Sequence, residues 1–341
     1  LETEVFPFKS PDNGIITNLP ILDVAYYPEE RGQYNFNPAA TNNILPNPSQ
    51  SWGGIMREVQ TTDFESSNIE FIQFWVMDPF HDEDGNPTHS GGQLFFNLGN
   101  ISEDILKDSR KSFENGLPTS PIDYITGANI NLVDTTIWGR VPTVQVLVNA
   151  FDNVESTRPF QDIGLDGLND ADELVFFGNT WGPDPSGDNY HHYRGSNYDA
   201  DTVNILNRYK QFNGMEGNSP TSNNFGEDFS TSATTRPDIE DLNQNNNLDF
   251  RENYFQYVIN LNPNDVSPTN VGNNFITDVL EANVRTRDGR NRMVRWYQFK
   301  IPIREPQQVI GEIQDFKSIR FMRMVMKGFS EKIILRFARL D

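Results

Sequence analysis

The twelve residues from Asp162 to Glu173, Asp-Ile-Gly-Leu-Asp-Gly-Leu-Asn-Asp-Ala-Asp-Glu, place carboxylates at the first, fifth, ninth and twelfth positions and a glycine at the sixth. That is the spacing of an EF-hand-type calcium loop. A hard cation of calcium's size takes about six to eight oxygens. Alternate residues of a tightly curled loop supply them, glycine makes the turn, and the last Glu binds through both oxygens. The candidate ligand positions are Asp162, Gly164, Asp166, Leu168, Asp170 and Glu173, with Leu168 offering its backbone carbonyl. Gly164 has no side chain to offer, so water or a backbone carbonyl has to replace the ligand at the third position.

Asp241 to Glu252 repeats the pattern, with oxygens at Asp241, Asn243, Asn245, Asp249 and Glu252 and the backbone position at Asn247. Asn246 stands where glycine is usual, and Asn visits the left-handed conformation more readily than most residues. Leu248 fits the apolar eighth position that anchors such a loop on a core. Fewer formal charges imply weaker binding. Neither stretch is flanked by two long amphipathic helices. Both therefore look like the structural calcium loops of dockerin-like or thrombospondin-like modules, in which Ca2+ holds together loops that could not pack alone.

Other chemistry is poorly supported. His191 and His192 stand among Asp184, Asp188 and Asp199, and His81 precedes Asp82 and Asp84, but the spacing fits no zinc motif. Adjacent histidines in a strand also point to opposite faces. Nothing selects one carboxylate pair for glycoside hydrolysis. No nucleophile elbow, phosphate-cradling glycine loop or dinucleotide fingerprint occurs, so the chain reads as no enzyme and no catalytic residue is assigned. Trp52, Trp138 and Trp181 could stack on sugars, which makes a carbohydrate-binding sandwich the alternative function; they could equally be core aromatics beside glycine turns.

The formal charge is −21, from 48 acidic against 27 basic residues. Nucleic acid is thereby disfavoured as a partner, while divalent cations, or simply a solvated acidic surface, are favoured. Cysteine is absent, which excludes disulfides and thiolate chemistry and leaves the compartment open. No apolar run is long enough for a membrane helix. The opening Leu1-Glu2-Thr3-Glu4 is no signal peptide, and the missing initiator Met reads as a piece of a longer protein. Frequent Gly, Pro, Asn and Asp beside 12% aromatics suit an aromatic-cored β protein with long loops.

Several elements must position these loops. Residues 1–50 read as an extended wrap over a surface. Ile69 to Met77 is apolar on both faces, as a central strand is, and Gln93 to Leu98 looks like its hairpin partner. Asn100 and Glu103 resemble a capping box for a short helix carrying Ile105, Leu106 and Phe113 and ending at Gly116. A second helix is expected near Thr202 to Phe212. Gly214 to Asp238 has the composition of an exposed loop. Arg295 to Pro302, Ser318 to Met326 and Ile333 to Leu340 alternate as three closing strands. The expected fold is mainly β, a jelly-roll-like β-sandwich with a few short helices. Residues 51–119 form its first half, 120–285 a loop-rich calcium-binding insertion or second lobe, and 286–341 its closing strands.

Words spread through most of the chain resemble the SprA (Sov) family. They are Trp52-Gly53-Gly54-Ile55-Met56-Arg57, Thr61-Thr62-Asp63-Phe64-Glu65, Ile69 to Phe80 and Leu94 to Leu106. Phe113-Glu114-Asn115-Gly116, Pro237 to Asn243, Trp296-Tyr297-Gln298-Phe299 and Ile319 to Arg323 continue the order. The resemblance implies the outer-membrane translocon of type IX secretion and gliding motility, a large β-barrel with soluble insertions. Other secretion-system subunits and secreted cargo would be its partners. This stretch lacks the repeated strands and aromatic girdles of barrel wall, so it is expected to be such an insertion, on the exterior or the periplasmic side, that does not itself span the membrane.

Overall fold

Ile72, Phe74 and Val76 bury one face of the strand Phe71–Met77 while Trp75 buries the other. This strand sits in the middle of a sheet, as its two apolar faces require. The computed structural model describes residues 2–6, 8, 18–82, 85–112, 114, 133–142, 164–189, 193, 196–210, 238–285 and 289–340. Twelve strands occur among these residues: β1 (Ile21–Tyr26), β2 (Trp52–Glu58), β3 (Phe71–Met77), β4 (Gly92–Asn100), β5 (Val133–Thr135), β6 (Arg140–Pro142), β7 (Asn253–Leu261), β8 (Ile276–Arg285), β9 (Asn291–Pro302), β10 (Gln308–Ile310), β11 (Phe321–Lys327) and β12 (Ile333–Ala338). The α-helices are short: α1 (Glu2–Val5), α2 (Asp170–Phe177), α3 (Ser196–Ala200) and α4 (Ile205–Arg208).

The chain divides into two units. Leu1–Glu30, Ile44–Ile101 and Arg251–Asp341 make the first, and Arg31–Asn43 with Ser102–Phe250 the second.

The first unit holds two five-stranded antiparallel sheets, ordered β1-β12-β3-β9-β8 and β10-β7-β4-β11-β2. Their inner faces alternate as the pleat demands. Phe255, Tyr257, Ile259 and Leu261 of β7 and Ile333, Leu335 and Phe337 of β12 are all buried in one core. Phe74 is its hub. It stacks on its register partner Phe299 at 5.3 Å, meets Phe337 edge-on at 5.5 Å, and reaches Phe96 of the other sheet at 5.4 Å. Burying each such ring stabilises the sandwich by about 1.5–3 kcal/mol, with aromatic geometry adding to it.

The sandwich of the sequence reading is present, with strands from both ends of the chain, and several details differ. β4 is not the hairpin partner of β3: it lies in the opposite sheet between β7 and β11. A tight hairpin would turn the apolar faces of both strands the same way within one sheet, whereas crossing to the other sheet packs Phe96 onto Phe74. The closing strands β9, β11 and β12 do pair with β3 and β4, divided between the two sheets. β7 and β8 belong to the sheets as well, so the returning half of the sandwich starts at Asn253 and not at residue 286. Within the N-terminal stretch, Ile21–Tyr26 is a true edge strand on β12.

In the second unit the helix expected after Asn100 does not form. Lys107 and Ser109 have φ of 55° and 61°, which a right-handed helix forbids. The backbone groups a helix would pair internally have tertiary partners instead. Glu240 accepts the N–H groups of Leu106 and Ser112 at 3.0 and 2.9 Å, Trp138 Nε1 donates to the Leu106 carbonyl, and Asp104 accepts from Asp108 and Ser109, both at 3.1 Å. Leu106 is buried and Ile105 exposed, so they share no face. Phe113 and Gly116 lie outside the described residues. The helix expected at Thr202 to Phe212 is a single turn, α4, capped by Asn204.

Candidate metal centre

The turn Gly164–Gly167 leads to Asn169, whose side chain accepts the Asp172 N–H at 3.0 Å and caps α2. Gly164 and Gly167 have φ of 64° and 70°, so the chain curls through left-handed backbone that suits glycine. The curl turns Asp166 inward, where Oδ1 accepts the Leu168 N–H at 2.9 Å. Helix α2 brings Glu173 to the same place, and both carboxylates are almost wholly enclosed.

The later segment Asp184–Asp188 folds onto these two acids. The Ser186 N–H donates to Glu173 Oε2 at 2.9 Å and its hydroxyl donates to Asp166 Oδ2. The Ser186 carbonyl accepts the Tyr34 N–H at 2.8 Å, and the Tyr34 hydroxyl accepts the Leu165 N–H at 2.8 Å. Asp184 closes its own turn by accepting the Gly187 N–H at 2.7 Å. Two groups of three acids result, Asp166 with Glu173 and Asp188, and Asp170 with Glu173 and Asp184. In each, one oxygen per residue lies within 4.8 Å of the others. Burial pushes the Asp166 carboxyl up to about 7 and that of Glu173 up to about 8, and drives Asp188 well above the usual carboxylate range; the neighbouring carboxylates add to each shift.

Of the expected first-loop ligands, Glu173 is shared by both groups, Asp166 belongs to one and Asp170 to the other, and Asp162 lies outside the described residues. Leu168 is buried as an apolar anchor. Asp184 and Asp188 escaped the ligand assignment because they follow the twelve-residue window by more than ten positions. Their signals were the turn word Asp184-Pro185-Ser186-Gly187-Asp188 and their place beside His191 and His192.

The second loop is arranged differently. Asp241 is buried and accepts the N–H groups of Asn245 at 3.0 Å and Asn246 at 2.8 Å. Asn243 accepts from Asn245 at 3.1 Å, and Asn245 from Asn247 at 2.7 Å. The Lys111 ammonium stands 3.6 Å from Asp241 Oδ2 and donates to the Asn246 carbonyl, so a cation of the protein's own already sits among these oxygens. Glu103, fully buried, accepts the N–H groups of Asn243 and Asp249 at 3.2 and 3.0 Å. Glu252, expected as the closing ligand, lies in the first unit and forms a two-pronged ion pair with Arg323, 3.0 Å at each prong. Among the described residues, no group of three acids comes together in this loop.

The tryptophans of the second unit are also accounted for. Phe36 stacks on Phe177 at 4.1 Å and meets Trp138 at 5.8 Å and Trp181 at 5.5 Å, with the Arg31 guanidinium 5.4 Å from the Trp181 ring. Their rings pack against one another, and each stays partly exposed. His191 and His192 lie outside the described residues.

No curated protein matches the chain. The SprA N-terminal family model, described as motility related/secretion protein, matches residues 170–341, which include α2, the second loop and strands β7 to β12. That is half of the chain, and the protein belongs to this family of motility-related and secretion proteins.

Proposed function

We propose that the chain is a non-enzymatic, calcium-stabilised segment of an outer-membrane translocon that serves type IX secretion and gliding motility. The observation that carries this reading is the family match over residues 170–341. The described residues contain no helix long and apolar enough to cross a membrane. A sandwich with a loop-rich second unit suits an insertion that meets polypeptides, so its working parts would be surfaces offered to other secretion-system subunits and to cargo at the cell surface or in the periplasm. Calcium is supported by Glu173, which meets Asp166 in one group of three acids and Asp170 in another, all three residues coming from one loop and its helix. Its role would be to neutralise carboxylates whose mutual repulsion otherwise opposes closure of the second unit.

The test is secretion of a reporter cargo, measured beside the abundance of the parent protein in the outer membrane. Removing residues 1–341 from the parent should leave cargo inside the cell. Normal secretion after that deletion would sink the proposal.

A further inference from the structure

Gly164 stands at the third position of its loop, where a calcium loop ordinarily has an oxygen-bearing side chain. The space such a side chain would enter is filled from elsewhere. A Cβ added at Gly164 would lie 1.8 Å from Asp188 Oδ2 and 2.9 Å from the Tyr34 hydroxyl. Asp188 Oδ2 is shut away from solvent and has no hydrogen-bond partner of its own, an expensive state for a carboxylate oxygen, although the Tyr34 hydroxyl hydrogen-bonds the carboxyl. Its carboxyl nevertheless lies within 4.8 Å of oxygens of Asp166 and Glu173. The basic residues around the three acids have other partners: Arg140 pairs with Asp172 at 2.9 Å, and Arg31 donates to Asn43 at 2.9 Å and to the Pro185 carbonyl at 2.8 Å.

We infer that Asp188 is a ligand of a divalent cation shared with Asp166 and Glu173, and that it supplies from a second segment the oxygen that Gly164 withholds. This rests on the calcium reading of the loop and changes its construction. The site is a clasp of two segments, 164–173 and 184–188, and not one continuous loop. Ser186 sets the clasp, because its N–H and hydroxyl fix one oxygen of Glu173 and one of Asp166, while Asp166 Oδ1 is oriented by the Leu168 N–H. Donors that are all oxygen, gathered from separate segments in irregular array, favour calcium over magnesium, which demands near-ideal octahedral geometry.

The experiment is calorimetric titration of the whole chain with calcium chloride and, separately, magnesium chloride, together with thermal melting in calcium and in EGTA. The variants are Asp188→Asn, Asp188→Ser and Glu173→Gln. Either change at Asp188 should weaken calcium binding by about tenfold or more, since one anionic ligand is lost. In EGTA, Asp188→Asn should melt no lower than the parent, because one of three crowded acids is neutralised. In calcium it should melt lower. That reversal separates a ligand from a merely structural residue, and Asp188→Ser serves the same comparison if the Asn variant does not fold. Unchanged calcium affinity in both Asp188 variants, with binding abolished in Glu173→Gln, would overturn the clasp and leave the loop reading standing. A parent chain that binds no calcium would overturn both.

Discussion

Asp188 Oδ2 occupies the place where a side chain on Gly164 would begin, 1.8 Å from the Cβ that an alanine would add there. Gly164→Ala therefore meets two obstacles, a carboxylate in the way and a φ of 64° that non-glycine residues adopt at a cost of about 1–3 kcal/mol. The variant should melt at a lower temperature than the parent even in EGTA, and it should lose most of the stabilisation that calcium confers. Retention of the parent's calcium response would show that the contact between these two residues is dispensable.

Chelation is the broader measurement. A ligand that binds only the folded state stabilises it by about 2.7 kcal/mol when present at a hundredfold excess over its dissociation constant. Saturating calcium should raise the melting temperature of the second unit, with Glu173→Gln abolishing the rise and Asp241→Asn largely preserving it, because Asp241 already has Lys111 and two backbone N–H groups. Equal losses in both variants would place a calcium ion in the second loop as well.

Much of this fold was legible because its signals are local. Phe71–Met77 carries apolar side chains on both faces, and only a central strand can bury both. The spacing of the loop likewise pointed to Glu173, which the structure sets near Asp166 in one acid group and near Asp170 in another. What the sequence hid is non-local. Glu103 looks like a capping residue for its own segment, yet its carboxylate serves Asn243 and Asp249, about 140 positions away. Asp188 fills a gap at Gly164 that spacing alone can only report as a missing ligand. β4 crosses to the other sheet because of what lies across the core from Phe96, and no pattern within residues 92–100 records that.

Glu103→Ala tests that long-range bond directly. It removes a buried anion from two N–H donors and leaves both without an acceptor, which should cost about 3 kcal/mol. Glu103→Gln keeps the shape and one acceptor oxygen and should recover part of the loss. Denaturant unfolding of the three proteins measures it, and a cost below about 1 kcal/mol for the alanine variant would mean that water replaces the carboxylate at this loop.

Glu252 offers the opposite expectation. Its partner Arg323 is held over the Tyr254 ring at 5.1 Å, and Glu252 itself is largely solvent-accessible. A pair of this kind contributes up to about 1 kcal/mol. Glu252→Ala should therefore lower stability only slightly and leave the calcium isotherm unchanged, whereas a calcium ligand at the closing position would take most of the affinity with it.

The sandwich core also sets an alkaline limit. Tyr257 is fully buried, its hydroxyl donates to the Ile303 carbonyl, and burial raises its pKa far above the ordinary value for a phenol. Burial raises Tyr297 in the same direction, with Asp78 adding to it. Below about pH 10 both folded and unfolded chains hold these protons, so stability is independent of their titration. Above that pH the unfolded chain releases them while the folded chain retains them. The unfolded state then binds fewer protons, and stability falls as pH rises, by up to about 1.4 kcal/mol per pH unit for Tyr257. Unfolding free energy measured from neutral to strongly alkaline pH, alongside phenolate absorbance, should show this decline begin before any phenolate appears in the folded protein. Tyr257→Phe should cost about 1–2 kcal/mol near neutral pH, because the Ile303 carbonyl loses its donor, and should make the alkaline decline shallower. A decline equally steep in that variant would mean that Tyr257 ionises freely in the folded state and that its hydrogen bond to Ile303 does not hold the proton.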